Sequence, residues 1–305
     1  MGSISIVIVN WNSGKYLESC ISSIFQNNSP LINEIIIIDN NSSDGSINKT
    51  QENTKIRLIK SSENLGFAKA CNLGASYATS EFILFLNPDT LFLNNPLNEI
   101  LKFLGNPKNS QVGICGIKLI DEDQQVSKSC SRFPSLKSLF IHSIGLNNVF
   151  KIWATPMLDF DHQENLKVDQ VIGAFFFVRR HIFKELNGFD ERFYVYYEEV
   201  DFSLRAKNIG YSSYFLADSV AMHAGGGSSK NVKSLRLFYS LRSRILFFNK
   251  HHSHKTYLLA VGITFFIELV SRFLKAIFSF NKDQLLELYK GYIMLIVWFA
   301  RFRKD

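Results

Sequence analysis

Residues Ser3–Val9 read Ser-Ile-Ser-Ile-Val-Ile-Val, and Glu34–Asp39 read Glu-Ile-Ile-Ile-Ile-Asp. Both runs are short, β-branched and apolar at nearly every position, the pattern of a strand buried on both faces. Ile56–Lys60 and Phe82–Leu86 complete a set of four, and Tyr16–Gln26, Gly45–Glu52 and Phe67–Ala78 between them read as helices. Strands alternating with helices in this way predict an α/β fold, a mostly parallel sheet flanked by helices. Ligands of such sheets bind beyond the carboxyl ends of the strands. Polar residues collect there: Asn10 and Asn12 after the first strand, Asp39 to Asp44 after the second, Asn87 and Asp89 after the fourth.

Composition narrows the class. The 305 residues are 46% hydrophobic and 20% charged, which excludes a disordered chain. Cys20, Cys71, Cys115 and Cys130 lack metal-type spacing and are too few for a disulfide scaffold, so buried, reduced thiols of a cytoplasmic protein are expected. The chain opens directly on a strand pattern, without a charged n-region or cleavage site, so no signal peptide is expected. The net charge of +7 is unevenly distributed. Residues 1–229 hold 20 Lys and Arg against 23 Asp and Glu, a net of −3, and residues 230–305 hold 14 against 4, a net of +10. Positive charge confined to the last quarter argues against a general nucleic-acid binder.

Four clusters carry the chemistry. Asn87-Pro88-Asp89-Thr90 puts a carboxylate directly after an apolar strand, where it can bind a divalent metal through hard oxygens or simply make a turn. Asp39-Asn40-Asn41-Ser42-Ser43-Asp44-Gly45-Ser46 offers acceptors for a base or ribose; a capped loop explains Ser43 and Asp44 as well, but explains Asp39 less completely. Asn64-Leu65-Gly66-Phe67-Ala68-Lys69, with Asn72, sets a glycine, a cation and amides at a helix start, where phosphates bind. Glu198-Glu199-Val200-Asp201 packs three acids into one helical turn, as a solvated helix start would, or as a general base with a raised pKa would. The preceding Phe193-Tyr194-Val195-Tyr196-Tyr197 favours a cleft wall. His223 precedes a loop of Gly225-Gly226-Gly227-Ser228-Ser229 and reads as a metal or phosphate contact or as a structural histidine. No Walker loop and no G-x-G-x-x-G fingerprint is present, so P-loop and dinucleotide chemistry recede.

Taken in order, these pieces resemble the nucleotide-sugar glycosyltransferases of the large inverting family 2, with a GT-A fold, and in particular the rhamnosyltransferase-like bacterial branch that builds surface polysaccharides such as O-antigen. The matching text runs from Val7-Ile8-Val9-Asn10-Trp11-Asn12 through the four clusters, Gly188-Phe189-Asp190-Glu191-Arg192-Phe193 and Gly210-Tyr211 to His223 and Gly225–Ser228, about residues 3–229. The resemblance implies a nucleoside-diphosphate sugar as donor and a divalent metal, Mg²⁺ or Mn²⁺, as cofactor. Asp39, Val9 and Asn10 would line the base pocket, and Asn64, Gly66 and Lys69 would lie near ribose and phosphates. Asp89 takes the last position of the family's Asp-x-Asp metal motif, Asn87 stands where many members have the first Asp, and His223 would be a further metal or diphosphate contact. Gly173 and Ala174 would let the backbone approach sugar or acceptor. Glu198-Glu199 stands for the usual Glu-Asp pair, making Glu199 the catalytic base one methylene longer than usual, with Asp201 orienting the site.

The reading divides the chain into a transferase domain, 1–229, and a basic, apolar helical region, 230–305. The charge-free stretches Thr256–Ile267 and Gly291–Ala300 are each too short to span a bilayer. Short apolar helices flanked by cations suit the surface of an anionic membrane, here the inner face of the cell membrane, where a lipid-linked acceptor would lie; a packed helical subdomain or homodimer interface is the other reading. His251, His252 and His254 read as an exposed or interfacial patch. Two other functions stay open at this point: a catalytically silent sugar-nucleotide-binding scaffold held at a membrane, and a nucleotidyltransferase. The second would want a Gly-rich basic loop after the first strand, which Asn10-Trp11-Asn12-Ser13-Gly14 does not supply.

Overall fold

The computed structural model describes residues 2–27, 29–49, 53–225 and 232–302. Gly226 to Ser229, the end of the helix expected over Gly45–Glu52, and the terminal Arg303 and Lys304 lie outside them. Contacts divide the chain into two units. The first comprises Met1–Phe133, Phe160–Tyr194 and Glu198–Ser228; the second comprises Pro134–Asp159, Val195–Tyr197 and Ser229–Asp305.

The first unit alternates as its sequence predicts: β1 (Ile4–Asn10), α1 (Tyr16–Gln26), β2 (Ile32–Asp39), β3 (Ile56–Lys60), α2 (Phe67–Tyr77) and β4 (Phe82–Leu86). It continues with β5 (Thr90–Phe92), α3 (Pro96–Gly105), β6 (Val112–Ile120) and β7 (Cys130–Ser131). Among the described residues its main sheet has nine strands, in the order β3-β2-β1-β4 and onward through β10 (Phe175–Arg179), β6, β11 (Ser212–His223) and β5, with β8 (Leu166–Val168) also on β11. The first four strands are parallel; β10 runs antiparallel to both β4 and β6. A short pair joins β7 to β9 (Gln170–Val171).

Every residue of β1 is buried, as a strand covered on both faces must be. Leu17, Cys20, Ile21 and Ile24 of α1 lie in the core with Ile4, Ile6 and Ile8. On the other face α2 comes so near that a Cβ on its Gly74 would stand 2.4 Å from Val7 Cγ1. One expectation shifts: the helix after β2 is a 3₁₀ turn, Ser46–Lys49. Gly173 and Ala174 fall in the turn between β9 and β10. The four cysteines are free and buried, as expected. Helices α5 (Arg180–Glu185) and α6 (Glu198–Asn208) complete the unit.

The second unit is helical. It contains α7 (Lys233–His251), α8 (His254–Gly262), α9 (Leu269–Phe278) and α10 (Lys282–Phe302), and also α4 (Leu136–Ser143), which lies within the 1–229 stretch. α4 belongs here because its His142 lies 3.8 Å from Glu268. A π-helical turn, Ile263–Glu268, joins α8 to α9, so His254–Phe278 forms one 25-residue helix, long and apolar enough by length and composition to cross a membrane. The charge-free stretch Thr256–Ile267 thus lies inside a longer helix. The helix runs on because the Glu268 carboxylate is buried against Arg244 of α7 and Arg272.

Candidate active site

Asn10 ends β1 fully buried, directly across from Asp39 at the end of β2. Its Nδ2 stands 3.0 Å from each of Asp39 Oδ1, Ser42 Oγ and Ser46 Oγ, which share its two N–H donors, while Ser13 Oγ donates to its Oδ1. A buried carboxamide with all these partners is a brace: it fixes the loop after β2, and with it the Asp39 carboxylate, at the sheet edge. Asp44 caps the turn that follows, accepting from Ser46 N at 3.0 Å and from Gly14 N at 2.7 Å. Val9 is buried within its strand.

Asn40, quoted within the motif but given no role by the sequence, links this edge to the next loop. Its Nδ2 donates to Asn64 Oδ1 at 2.9 Å and to Gly66 O at 3.3 Å, and its Oδ1 accepts from Leu65 N at 2.8 Å. Gly66 then opens α2 at φ 82°, ψ 173°, a conformation essentially restricted to glycine. A Cβ there would also stand 2.5 Å from Tyr194 O. Tyr194 O accepts from Phe67 N at 2.6 Å, and Tyr194 Oη donates to Asn64 O at 3.1 Å. Further along α2, Asn72 donates to Phe189 O at 2.8 Å and accepts from Phe189 N at 2.9 Å. Helix α2 therefore holds the Gly188–Tyr194 loop at two points. Lys69 is exposed on the same helix.

The turn after β4 is bound to the stretch before β10. Ala174 O accepts from Asn87 N at 3.0 Å and from Thr90 Oγ1 at 3.3 Å. The methyl of Ala174 packs in the core, and its carbonyl holds the turn that carries Asp89. A Cβ on Gly173 would meet only Phe67, at 3.7 Å, so nothing within the protein demands glycine there. Asp89 is buried, and His223, which pairs with Thr90 across β5 and β11, brings its Nε2 to 3.3 Å from Asp89 Oδ1.

The three acids of α6 separate into different surroundings. Asp201 is fully buried and binds Arg205 Nε at 2.7 Å; Arg205 in turn donates to Leu186 O at 2.7 Å and Gly188 O at 2.8 Å. Asp201 thus steadies the loop on α2. Glu198 is buried, its Oε2 has no hydrogen-bond partner among the described residues, and burial, then the adjacent Glu199 charge, raises its pKa well above the carboxylate range. Glu199 is partly exposed. Both acids face α2: burial first, then their charges, push the Cys71 thiol pKa up. Tyr196 and Tyr197, immediately before them, both have left-handed backbones, at φ 67° and 72°. Non-glycine residues in that region carry about 1–3 kcal/mol of strain each, and such strain gathers at functional sites.

Among the described residues no group of three or more His, Cys, Asp and Glu side chains forms a protein-only metal site. Asp89 and His223 offer one carboxylate and one imidazole at the sheet edge. That set fits a hard cation such as Mg²⁺ or Mn²⁺, which takes one or two protein ligands and fills its remaining positions from substrate phosphate and water.

The architecture, a mixed sheet of mostly parallel strands flanked by helices, is that of the GT-A glycosyltransferases. A mannosyltransferase from Pyrobaculum calidifontis, solved with GDP-Man and Mn²⁺, superposes with a TM-score of 0.59 at 14% identity, over 97% of this chain and 87% of that one. The Staphylococcus aureus TarS 1–349 structure gives 0.50 at 14% identity, over 95% and 91%. The chain belongs to the family described as Glycosyl transferase family 2, which matches residues 5–187. Its relatives include the N-acetylglucosaminyl-diphospho-decaprenol L-rhamnosyltransferase of Mycobacterium tuberculosis, 24% identical over 82% of this chain and 85% of that protein. The dTDP-rhamnosyl transferase RfbF of Shigella flexneri is 25% identical over 82% and 81%.

Proposed function

We propose that this glycosyltransferase moves a sugar, with L-rhamnose from dTDP-rhamnose the best candidate, onto a hydroxyl of a glycan or lipid-linked acceptor in bacterial surface-polysaccharide synthesis, with inversion at the anomeric carbon. The observation that supports it most is that Asn10, Asp39 and the Asp89 turn stand at the carboxyl ends of β1, β2 and β4, neighbours in the sheet. The names of the mycobacterial and Shigella relatives support rhamnose as the sugar and a diphospho-lipid among the acceptors.

In this reading Asp39 meets the base of the donor, and the edge of α2, with Asn64, Gly66 and Lys69, meets ribose and phosphates. A divalent cation held by Asp89 and His223 would neutralise the departing diphosphate. A sugar hydroxyl is a poor nucleophile near neutral pH. Glu199, the more accessible of the two glutamates, takes its proton as the oxygen attacks the anomeric carbon and the bond to the diphosphate breaks on the opposite face. Glu198, holding a proton in its buried position, spares the site a second negative charge. The enzyme works at the inner face of the cell membrane, held there through residues 230–305.

A panel of dTDP-, UDP- and GDP-sugars, incubated with a prenyl-diphosphate-sugar acceptor with and without Mn²⁺, tests this. Product should form from one donor class in a metal-dependent manner, and its anomeric configuration, read by NMR, should be the inverse of the donor's. Donor binding without turnover on any acceptor would favour the silent scaffold.

A further inference from the structure

The second unit leaves two apolar stripes uncovered. Along His254–Phe278 the exposed residues Leu259, Phe266, Val270, Phe273 and Ile277 recur at spacings of seven, four, three and four, a single helical face. On α10, Leu286, Tyr289, Ile293 and Ile296 do the same. Between the helices stands the corner Phe278–Asn281, where Phe278 is 76% and Phe280 92% exposed. Aromatic rings this exposed at a chain corner have no role in folding the unit.

Charge indicates what covers them. In residues 254–302 the exposed cations are Lys255, Lys275, Lys282, Lys290 and Arg301, against one exposed acid, Asp283. A second copy would bring like charges together, whereas an anionic leaflet would neutralise them. The inner side of the 25-residue helix limits how it can sit. Tyr257, Ala260, Thr264, Glu268 and Ala276 are buried, and Glu268 is bound to Arg244 of α7. Crossing the bilayer would carry α7, with Arg236, Arg242 and Lys250, into hydrocarbon, where each charge is costly.

We propose that the stripes on the 254–278 helix and α10, led by the Phe278–Phe280 corner, seat the protein on an anionic lipid surface with the helices lying in the plane of the interface and not crossing it. This deepens the membrane reading above and rests on it. It requires no contribution from the donor chemistry.

The test is flotation of the full chain with phosphatidylcholine vesicles, with and without phosphatidylglycerol. Wild type should float with the anionic vesicles, and F278D/F280D and K275E/K282E should each weaken binding about tenfold or more with unchanged melting temperature. Failure of wild type to float overturns the membrane reading itself. Variants that float like wild type leave that reading standing and overturn the stripes. A wild-type dimer that F278D/F280D turns monomeric, by light scattering, assigns the face to a second copy and overturns the proposal. Because the native cysteines are buried, L259C, V270C and I277C can carry a fluorophore for quenching by brominated lipids. Similar shallow depths are expected at all three; a deep Val270 between two shallow ends would mean a spanning helix and overturn the in-plane seating.

Discussion

Asp89 Oδ1 and His223 Nε2 stand 3.3 Å apart, joined by the pairing of the strands that carry them: Thr90 lies opposite His223 across β5 and β11, and Ala224 N donates to Asp89 O at 3.1 Å. Two residues 134 positions apart are thus set as one unit by backbone hydrogen bonds. D89A and H223A should each reduce Mn²⁺-dependent donor affinity, D89A about tenfold or more, because the carboxylate is the charged partner. Calorimetric titration of the nucleotide sugar, with Mn²⁺ and with EDTA, measures this. Equal affinity in wild type and D89A would remove Asp89 from the metal.

Glu199→Gln should lower turnover about 10²–10⁴-fold, the usual worth of a general base, while donor affinity stays near wild type. Near-normal turnover in this variant would pass the role to another group.

Glu198→Gln tests the neighbouring carboxyl through stability. A carboxyl whose pKa rises on folding binds its proton more tightly in the native state. Its stabilising contribution is therefore full below the ordinary glutamate value of 4.5 and is lost as pH climbs through the native pKa. Glutamine, which never ionises, escapes that loss. The melting temperature of E198Q should exceed that of wild type by an amount that grows from pH 5 to pH 9, each unit of pKa shift being worth about 1.4 kcal/mol. A pH-independent difference would show that Glu198 carries no raised pKa.

Gly66→Ala should be poorly tolerated, because the backbone region at φ 82° costs other residues about 1–3 kcal/mol and the new methyl would meet Tyr194. A fall of several degrees in melting temperature, with a rise in donor KM, is expected. An unchanged KM would mean that the start of α2 does not touch the donor.

In the second unit, Glu268 is held down to a pKa of about 2, against its burial, by Arg244 and Arg272. Its contribution to stability is full above about pH 4.5 and is lost as pH falls toward 2. E268Q should cost about 3–5 kcal/mol near neutral pH by leaving Arg244 buried without its carboxylate, and E268L/R244M should recover much of that. Chemical denaturation of the three proteins across pH decides it.

Much of this architecture is legible in the primary structure. Ile-Val runs such as Ser3–Val9 can bury every residue only inside a sheet covered on both faces, and carboxylates immediately after such runs must emerge at the sheet edge, so Asp39 and Asp89 could be found without coordinates. Gly66 was legible as a glycine at the start of a helix pattern; its backbone at φ 82° against Tyr194 was not.

Other features depend on partners far away in the chain. That Asn10 braces the loop after β2, that Arg205, paired with Asp201 on its own helix, reaches the carbonyls of Leu186 and Gly188, and that the Ala174 carbonyl carries the Asp89 turn follow from hydrogen bonds between segments, some of them formed by backbone atoms that every residue type shares. Segment 134–159 joins the C-terminal helices, and one helix runs through Glu268, because a buried charge is tolerated only where an opposite charge meets it, and Arg244 is supplied by another helix. The order of local elements is written in apolar periodicity and turn residues; which polar groups become a site and which become a brace is decided only when tertiary packing removes water and chooses each group's partner.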